Sequence, residues 1–267
     1  MSRNFGAAAS DYATFRAGFP DLLFDKVQGL GVAVEGAELA DLGTGTGSLA
    51  RGFALRGARV TGIDPDDRML DQARQLDVEH AVTVDYRCGT AEAIPLKDTS
   101  VDVLSAGQCW HWFDAPVAAG EMARVLRPAG RVIVAHFDWL PIPGSVVAQT
   151  EALILQHNPS WHLGGGDGFH PESLPDLRAA GFTGFQTATQ EIDVPYTPEA
   201  WRGRIRASAG VGASLSSSGV QQFDQELASL IAADHPQEVL PVPHRIFVLV
   251  GILGGEPSSQ MPRENGT

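Results

Sequence analysis

From Ala37 onward, short apolar runs alternate with stretches whose apolar residues recur at helical spacing. That alternation is the signature of successive β-α-β units, so the chain reads as α/β with a largely parallel sheet covered on both faces. Glu38–Leu42 reads as the first strand. After a glycine-rich turn, Leu49, Ala50, Phe53 and Ala54 fall on one helix face, and Gly57 stops that helix. Arg59–Ile63 reads as the second strand. Asp64-Pro65-Asp66-Asp67 follows it with a capping residue, a proline suited to the first helical position and acids at the positive helix end, predicting a helix through about Arg74.

Val82–Tyr86 and Val101–Ala106 read as the third and fourth strands, the latter apolar enough to be buried on both faces. Val117, Met122, Val125 and Leu126 make a helical stripe closed by Pro128 and Gly130, and Arg131–His136 is the fifth strand. The alternation then breaks from Asp138 to about Pro175, where a short helical pattern over Val146–Leu155 precedes an aromatic, glycine-rich loop. Phe182–Val194 and His244–Leu253 read as two more strands completing the sheet at one edge, with helices near Glu199–Ala209 and Gln221–Ala233 between them.

The turn Asp41-Leu42-Gly43-Thr44-Gly45-Thr46-Gly47 between strand and helix carries the strongest chemical signal. Alternate glycines let the backbone turn tightly and let a ligand lie almost against the main chain. Such turns also cradle phosphates. Here, however, Ser48 stands where the dinucleotide fingerprint needs a further glycine, there is no P-loop lysine, and Asp41 would repel a pyrophosphate. An acid at that point suits an ammonium group. Asp64, ending the second strand, can accept hydrogen bonds from the two hydroxyls of a ribose.

With these residues in place, Glu38 to Gln75 resembles the cofactor-binding half of the class I S-adenosylmethionine-dependent methyltransferases. The likeness continues through Gly89-Thr90-Ala91-Glu92, similar to the family's loop against the adenine ring. It extends through Val101-Asp102-Val103-Leu104 and through Glu121–Gly130, where Ala129 replaces the family's usual second glycine. The resemblance implies a Rossmann-like fold: a seven-stranded, mostly parallel sheet with helices on both faces, an N-terminal helical lid and an insertion after strand five. It implies S-adenosyl-L-methionine as cofactor, held by Asp41, Gly43, Thr44, Gly45, Gly47, Asp64, Pro65, Met69, Thr90, Ala91, Glu92 and Gln108. The first twenty residues look like the lid of the trans-aconitate-methyltransferase-like branch (methyltransferase type 11). By that analogy Tyr12 and Arg16 would touch the cofactor's methionine end, whereas Phe15, Phe19 and Leu22 can equally be packing for a terminal helix.

Similar Gln-x-x-His-Trp-Phe strings occur in the same branch, matching Gln108-Cys109-Trp110-His111-Trp112-Phe113 beyond the fourth strand. His111 is the candidate general base, because an imidazole titrates near neutrality; a backbone hydrogen bond is the rival role. Trp110 and Trp112 are expected to wall the substrate pocket, together with His136 and Trp161; His162 and His170 are further pocket candidates. Of Arg202, Arg204 and Arg206, residues two apart on a helix cannot all face inward, so one can bind a substrate carboxylate while the others meet solvent.

Composition narrows the rest. The chain has 267 residues, with 43% hydrophobic and 19% charged, which supports one substantial domain. This is expected to span residues 1–255: a lid at 1–36, a cofactor-binding core at 37–137, a substrate-side insertion at 138–181 and the sheet's completion at 182–255, with a flexible tail at 256–267. A net charge of −13 opposes nucleic acid and favours a small-molecule substrate. Two cysteines, eight histidines without paired ligand spacing, and no signal or membrane segment predict no metal, no membrane association and a cytoplasmic location. Oligomeric state is not readable. Two rival readings remain: a protein of this fold that binds the cofactor but catalyses a reaction such as cyclisation, and a nicotinamide-dependent oxidoreductase.

Overall fold

In the computed structural model, residues 18–254 are described. The elements run α1 (Asp21–Gly29), β1 (Glu38–Leu42), α2 (Ser48–Ala54), β2 (Arg59–Asp64), α3 (Asp67–Glu79), β3 (Asp85–Cys88), β4 (Val101–Gly107) and a 3-10 turn at Trp110–Trp112. They continue with α4 (Ala115–Val125), β5 (Leu126–Trp139), α5 (Val146–His157), α6 (Leu174–Ala179), β6 (Phe182–Tyr196), α7 (Pro198–Arg206), α8 (Ser217–Asp234) and β7 (Leu240–Leu253). The seven strands form one sheet in the order β3-β2-β1-β4-β5-β7-β6. All pairs through β5 are parallel, and β7 is antiparallel to both neighbours. The seven-stranded, mostly parallel α/β expectation therefore holds.

Side chains on a strand alternate between faces, and both faces here are apolar. Ala40, Leu42, Leu104 and Val134 join Ala118 and Met122 of α4 and Leu177 of α6 on one side. Leu39, Val60, Val103 and Ile133 meet Leu23 and Phe24 of α1 and Leu49 and Phe53 of α2 on the other. A third cluster joins α5, α7 and α8, through Val147, Ile154, Trp201, Ile205, Phe223 and Leu227, to Leu240 and Val242 of β7. The segment after β5 and the helices between β6 and β7 thus form one layer beside the sheet's carboxyl edge. No helix among the described residues is long and apolar enough to cross a membrane.

Several boundaries differ from those read in the sequence. β3 begins at Asp85 instead of Val82. Asp66, not Asp64, caps α3, accepting a hydrogen bond from the Arg68 amide; Pro65 stays outside the helix, which runs on to Glu79. β5 starts at Leu126, with its pairing to β4 shifting register before Arg131. The irregularity contains Ala129 at φ 60°, a left-handed conformation that costs an alanine roughly 1–2 kcal/mol. α6, at the end of the stretch taken as an insertion, packs on α4 through the buried Leu177.

Candidate active site

β1 and its neighbour β4 run in the same direction, but their connections leave on opposite sides of the sheet, so a crevice opens beyond their carboxyl ends. The glycine turn leaves β1 at this point. Gly43, Gly45 and Gly47 have φ of 60°, 56° and 76°, which is why glycine is needed. A Cβ on Gly43 would come within 2.8 Å of Cys109 Cβ, and one on Gly47 within 2.1 Å of the Tyr86 hydroxyl oxygen. At Gly45 the nearest atom would be Met69 Cε at 3.5 Å, so that side of the turn opens into the cleft.

Two acids flank the turn. Asp41 is almost fully buried; its Oδ2 accepts from the Thr44 hydroxyl at 2.7 Å and its Oδ1 from the Ser105 hydroxyl at 2.6 Å. Burial pushes its carboxyl up to about 6, despite those two hydrogen bonds. Asp64 accepts the Gly45 amide at Oδ2 and the Asp66 amide at Oδ1, both at 2.9 Å. Burial raises this carboxyl too. Each Asp64 oxygen keeps a lone pair for a ligand hydroxyl, and the same bonds tie the glycine turn to the end of β2.

A buried ion pair supports the turn from behind. Arg51 Nε donates to Asp77 Oδ1 at 2.8 Å, while its Nη2 donates to the Thr46 carbonyl at 3.0 Å and the Ala73 carbonyl at 3.1 Å. Sequence reasoning singles out neither partner: Arg51 reads as an ordinary residue of the first helix, and Asp77 lies past the expected end of the next helix near Arg74.

Asp41, Gly43, Thr44, Gly45, Asp64, Pro65, Met69, Thr90, Ala91, Glu92 and Gln108 all line one cleft. Gly47 does not; it packs on Tyr86 and Ala73 and shapes the turn from outside. Glu92 also accepts the Asp114 amide at 2.9 Å, holding its loop against the start of α4. Tyr12 and Arg16, with the N-terminal part of the lid resemblance, lie outside the described residues, as does the tail at 256–267.

The cleft continues past the cofactor-type cradle. Its volume of about 1240 Å³ exceeds the roughly 300–1,000 Å³ usual for a single small ligand. Beyond Gln108 its wall includes His111, Trp112, His136, Trp161 and His170. Trp110 is the exception among the expected wall residues: it is buried in the core, edge-on to Phe113 with ring centroids 6.0 Å apart, because the 3-10 turn aims it inward. His111 is exposed, its ring 4.4 Å from that of Trp112.

Gln108, held at φ 54°, donates from Nε2 to the Phe137 carbonyl at 2.6 Å and to Asp138 Oδ1 at 3.0 Å. It therefore orients an acid that sequence reasoning missed. Asp138 Oδ2 faces His170 Nε2 at 2.7 Å, and His170 Nδ1 faces Glu172 Oε1 at 3.0 Å. Burial favours the neutral forms of Asp138 and His170, but their mutual hydrogen bond and charge outweigh it. Asp138 is held below the usual carboxylate range, and His170, also helped by Glu172, above the usual imidazole range. His170 thus latches the loop that follows α5 onto the end of β5.

His136, Asp138 and His170 offer ligand atoms within 4.8 Å of one another, a grouping that could hold a metal ion. The two imidazoles, however, stack face to face at 3.5 Å and 9°. Their lone pairs therefore lie in two nearly parallel planes stacked one on the other, whereas two imidazoles on one ion must both point at it. We read the trio as a hydrogen-bonded latch.

Comparison with known proteins bears on the same region. Residues 40–134 match the family model described as a methyltransferase domain. An uncharacterized methyltransferase of Mycobacterium tuberculosis is 39% identical over 132 residues, 49% of this chain and 51% of the relative. A malonyl-[acyl-carrier protein] O-methyltransferase of Serratia marcescens is 35% identical over 130 residues, 48% of this chain and 49% of the relative. The chain spans about half the length of these curated relatives. Among solved structures, the YcgJ protein of Bacillus subtilis has a TM-score of 0.56 at 21% identity, covering 88% of this chain and 98% of its own. Phosphoethanolamine N-methyltransferase 2 of Haemonchus contortus, in complex with phosphomonomethylethanolamine and S-adenosylhomocysteine, has a TM-score of 0.58 at 18% identity, covering 96% of this chain and 61% of its own. At such identities these two show likeness of fold.

Proposed function

We propose that this chain, whose core is a class I S-adenosylmethionine-dependent methyltransferase domain, transfers a methyl group to a small-molecule acceptor bound between that core and the layer formed by α5, α7 and α8. The observation that carries this reading is the extent of the cleft. A glycine cradle and two acids line one part of it, and the same cavity is also lined by Gln108 and by the aromatic and histidine side chains of Trp112, His136, Trp161 and His170. The residues fit the cofactor. Gly45 leaves room for it against bare backbone, Asp64 keeps acceptor lone pairs for ribose hydroxyls, and Asp41 presents a carboxylate toward an ammonium group.

When bound, S-adenosylmethionine supplies a methyl group on a sulfonium sulfur, open to in-line displacement. The protein's task is then alignment and exclusion of water. Trp112 and Trp161 line the cleft and His170 pins the loop beside it, which together limit solvent access. His111, which lines this cleft, is the residue assigned in this reading to take a proton from the acceptor. Cyclisation on this fold and nicotinamide chemistry are not favoured, because the matched domain is a methyltransferase domain.

The test combines calorimetry with S-adenosylhomocysteine and incubation with methyl-labelled cofactor and a pool of small-molecule acceptors. Asp64→Ala is expected to abolish cofactor binding. His111→Ala is expected to leave binding intact and to cut turnover by about 10²–10⁴-fold. No heat of binding with S-adenosylhomocysteine, alongside clear binding of NAD, would overturn the reading. Full turnover in His111→Ala would remove that residue from the mechanism.

A further inference from the structure

The three arginines of α7 have different surroundings. Arg202 pairs with Glu199 and with Asp224 of α8, and Arg206, one turn further on, pairs with the same two acids. Arg204 is two residues from each, about 200° around the helix, so it projects from the other side, into the cleft wall. There it forms no hydrogen bond or ion pair with any described residue; its guanidinium carbon lies 4.9 Å from the centre of the Trp139 ring. The acids near it are engaged elsewhere. Glu151 Oε1 accepts from Trp139 Nε1 and its Oε2 from the Gly165 amide, and Asp138 holds Gln108 and His170.

One helical turn beyond Arg204, Ser208 lines the same cleft. Its Oγ is buried and has no hydrogen-bond partner. A guanidinium sunk in a wall without a carboxylate and a buried hydroxyl without a partner each carry a desolvation cost. One helical turn apart on the wall of the same cleft, they are complementary to one group, an anion that accepts from both.

We propose that Arg204 and Ser208 form the anion subsite for the methyl acceptor, and that the acceptor carries a carboxylate there. This rests on reading the cleft as a methyltransferase site. A carboxylate is favoured over a phosphate because the subsite offers a single guanidinium, whose planar fork matches a carboxylate, with Asp138 and Glu151 close enough to oppose a second negative charge. His244, also in this wall, is driven down to about 4 by burial and adds no charge near neutral pH. His170 is matched by Asp138 and Glu172. Trp139 and Trp161 flank the subsite, so the body attached to the carboxylate is flat or apolar. Gly210 is needed for that wall: a Cβ there would come within 3.0 Å of Trp161 Nε1.

The probes are benzoate, indole-3-acetate, their two amides, and phenyl phosphate, titrated calorimetrically into the protein with and without S-adenosylhomocysteine. At least one carboxylate is expected to bind roughly 10- to 100-fold more tightly than its amide, the span of a charge-assisted hydrogen bond. Arg204→Met should erase that preference, Arg204→Lys should retain part of it, and Ser208→Ala should narrow it. Arg202→Met should leave it unchanged, and S-adenosylhomocysteine should bind all four variants like the wild type. If Arg204→Met fails to fold, the wild-type comparison of acid with amide and the Ser208→Ala titration decide. Equal binding of acids and amides, binding of neither, or an acid preference that survives Arg204→Met would each overturn the proposal. Tighter binding of phenyl phosphate than of either carboxylate would overturn the choice of carboxylate. Absence of S-adenosylhomocysteine binding in the wild type would instead sink the cofactor reading, and the titrations without it would still judge the subsite.

Discussion

Replacing Asp77 by leucine would strip the carboxylate from a guanidinium that has almost no access to water. The side chains of Arg51 and Asp77 are 9% and 7% exposed, and Arg51 would keep its bonds to the Thr46 and Ala73 carbonyls, but no counter-charge. Breaking one side of such a buried pair costs about 3–5 kcal/mol. For a domain of this size each kcal/mol lowers the melting temperature by about 2–4 °C, so a drop of roughly 6–20 °C is expected, with the fold retained if total stability is in the usual range of about 5–15 kcal/mol. Adding Arg51→Met to Asp77→Leu removes the stranded charge and should return most of the stability, since replacing a whole buried pair by apolar side chains is often neutral. Cofactor affinity should instead fall in the double variant, because the Arg51 Nη2 bond to Thr46, which holds the glycine turn and survives in Asp77→Leu, is lost there. Calorimetric melting of the four members of the cycle, with S-adenosylhomocysteine titrated into each, reads both effects. A loss below about 1 kcal/mol in Asp77→Leu would refute the energetic argument. Wild-type affinity in the double variant would refute the claim that Arg51 holds the turn.

Two further perturbations test the electrostatics and the backbone. The Asp41 carboxyl is raised to about 6 from 3.8, so the folded protein without ligand favours the protonated form and loses stability as pH rises through that window. A ligand ammonium favours the ionised form; affinity for S-adenosylhomocysteine should therefore fall as pH drops below about 6, by up to about tenfold per pH unit, with proton release on binding. Calorimetry from pH 5 to 8 should show this slope in the wild type and not in Asp41→Asn; the same slope in both would reject Asp41 as its source. Ala129→Gly should relieve the left-handed strain before β5 and raise the melting temperature by about 2–4 °C with turnover unchanged, and an unchanged or lower value would show that the turn is not strained.

What the sequence disclosed is what is local in the chain. The cradle from Asp41 to Gly45 and the acid at Asp64 were legible because a strand, a glycine turn and a helix cap dictate their own geometry within 25 residues. Even there, the role of Asp64 was only half visible: its carboxylate receives the Gly45 amide, so the helix cap falls to Asp66. Gly47 is expected in the cleft from the family's glycine motif, and Trp110 from the aromatic string beyond β4. Backbone direction decides otherwise, since Gly47 turns its α-carbon toward Tyr86 and the 3-10 turn sends Trp110 into the core. The Asp138–His170 latch was not legible, because 32 residues without a periodic pattern separate its halves.

The same division of labour explains why the two ends of the cleft differ in construction. The cradle proposed for the cofactor centres on the ends of β1 and β2, where Arg51, Asp64 and Asp77 shape the turn, with Ser105 of β4 bonding Asp41 from the neighbouring strand. The other end of the cleft draws on the end of β5, the loop after α5, α7 and the start of β7, brought together by packing against one helical layer. The matched family domain ends at residue 134, before any of these segments begin to contribute side chains. With the subsite as proposed, substitutions at Arg204, Ser208 or Trp161 are expected to alter binding at that end of the cleft without disturbing the turn that Arg51 and Asp64 secure, and S-adenosylhomocysteine titrated into each variant checks this.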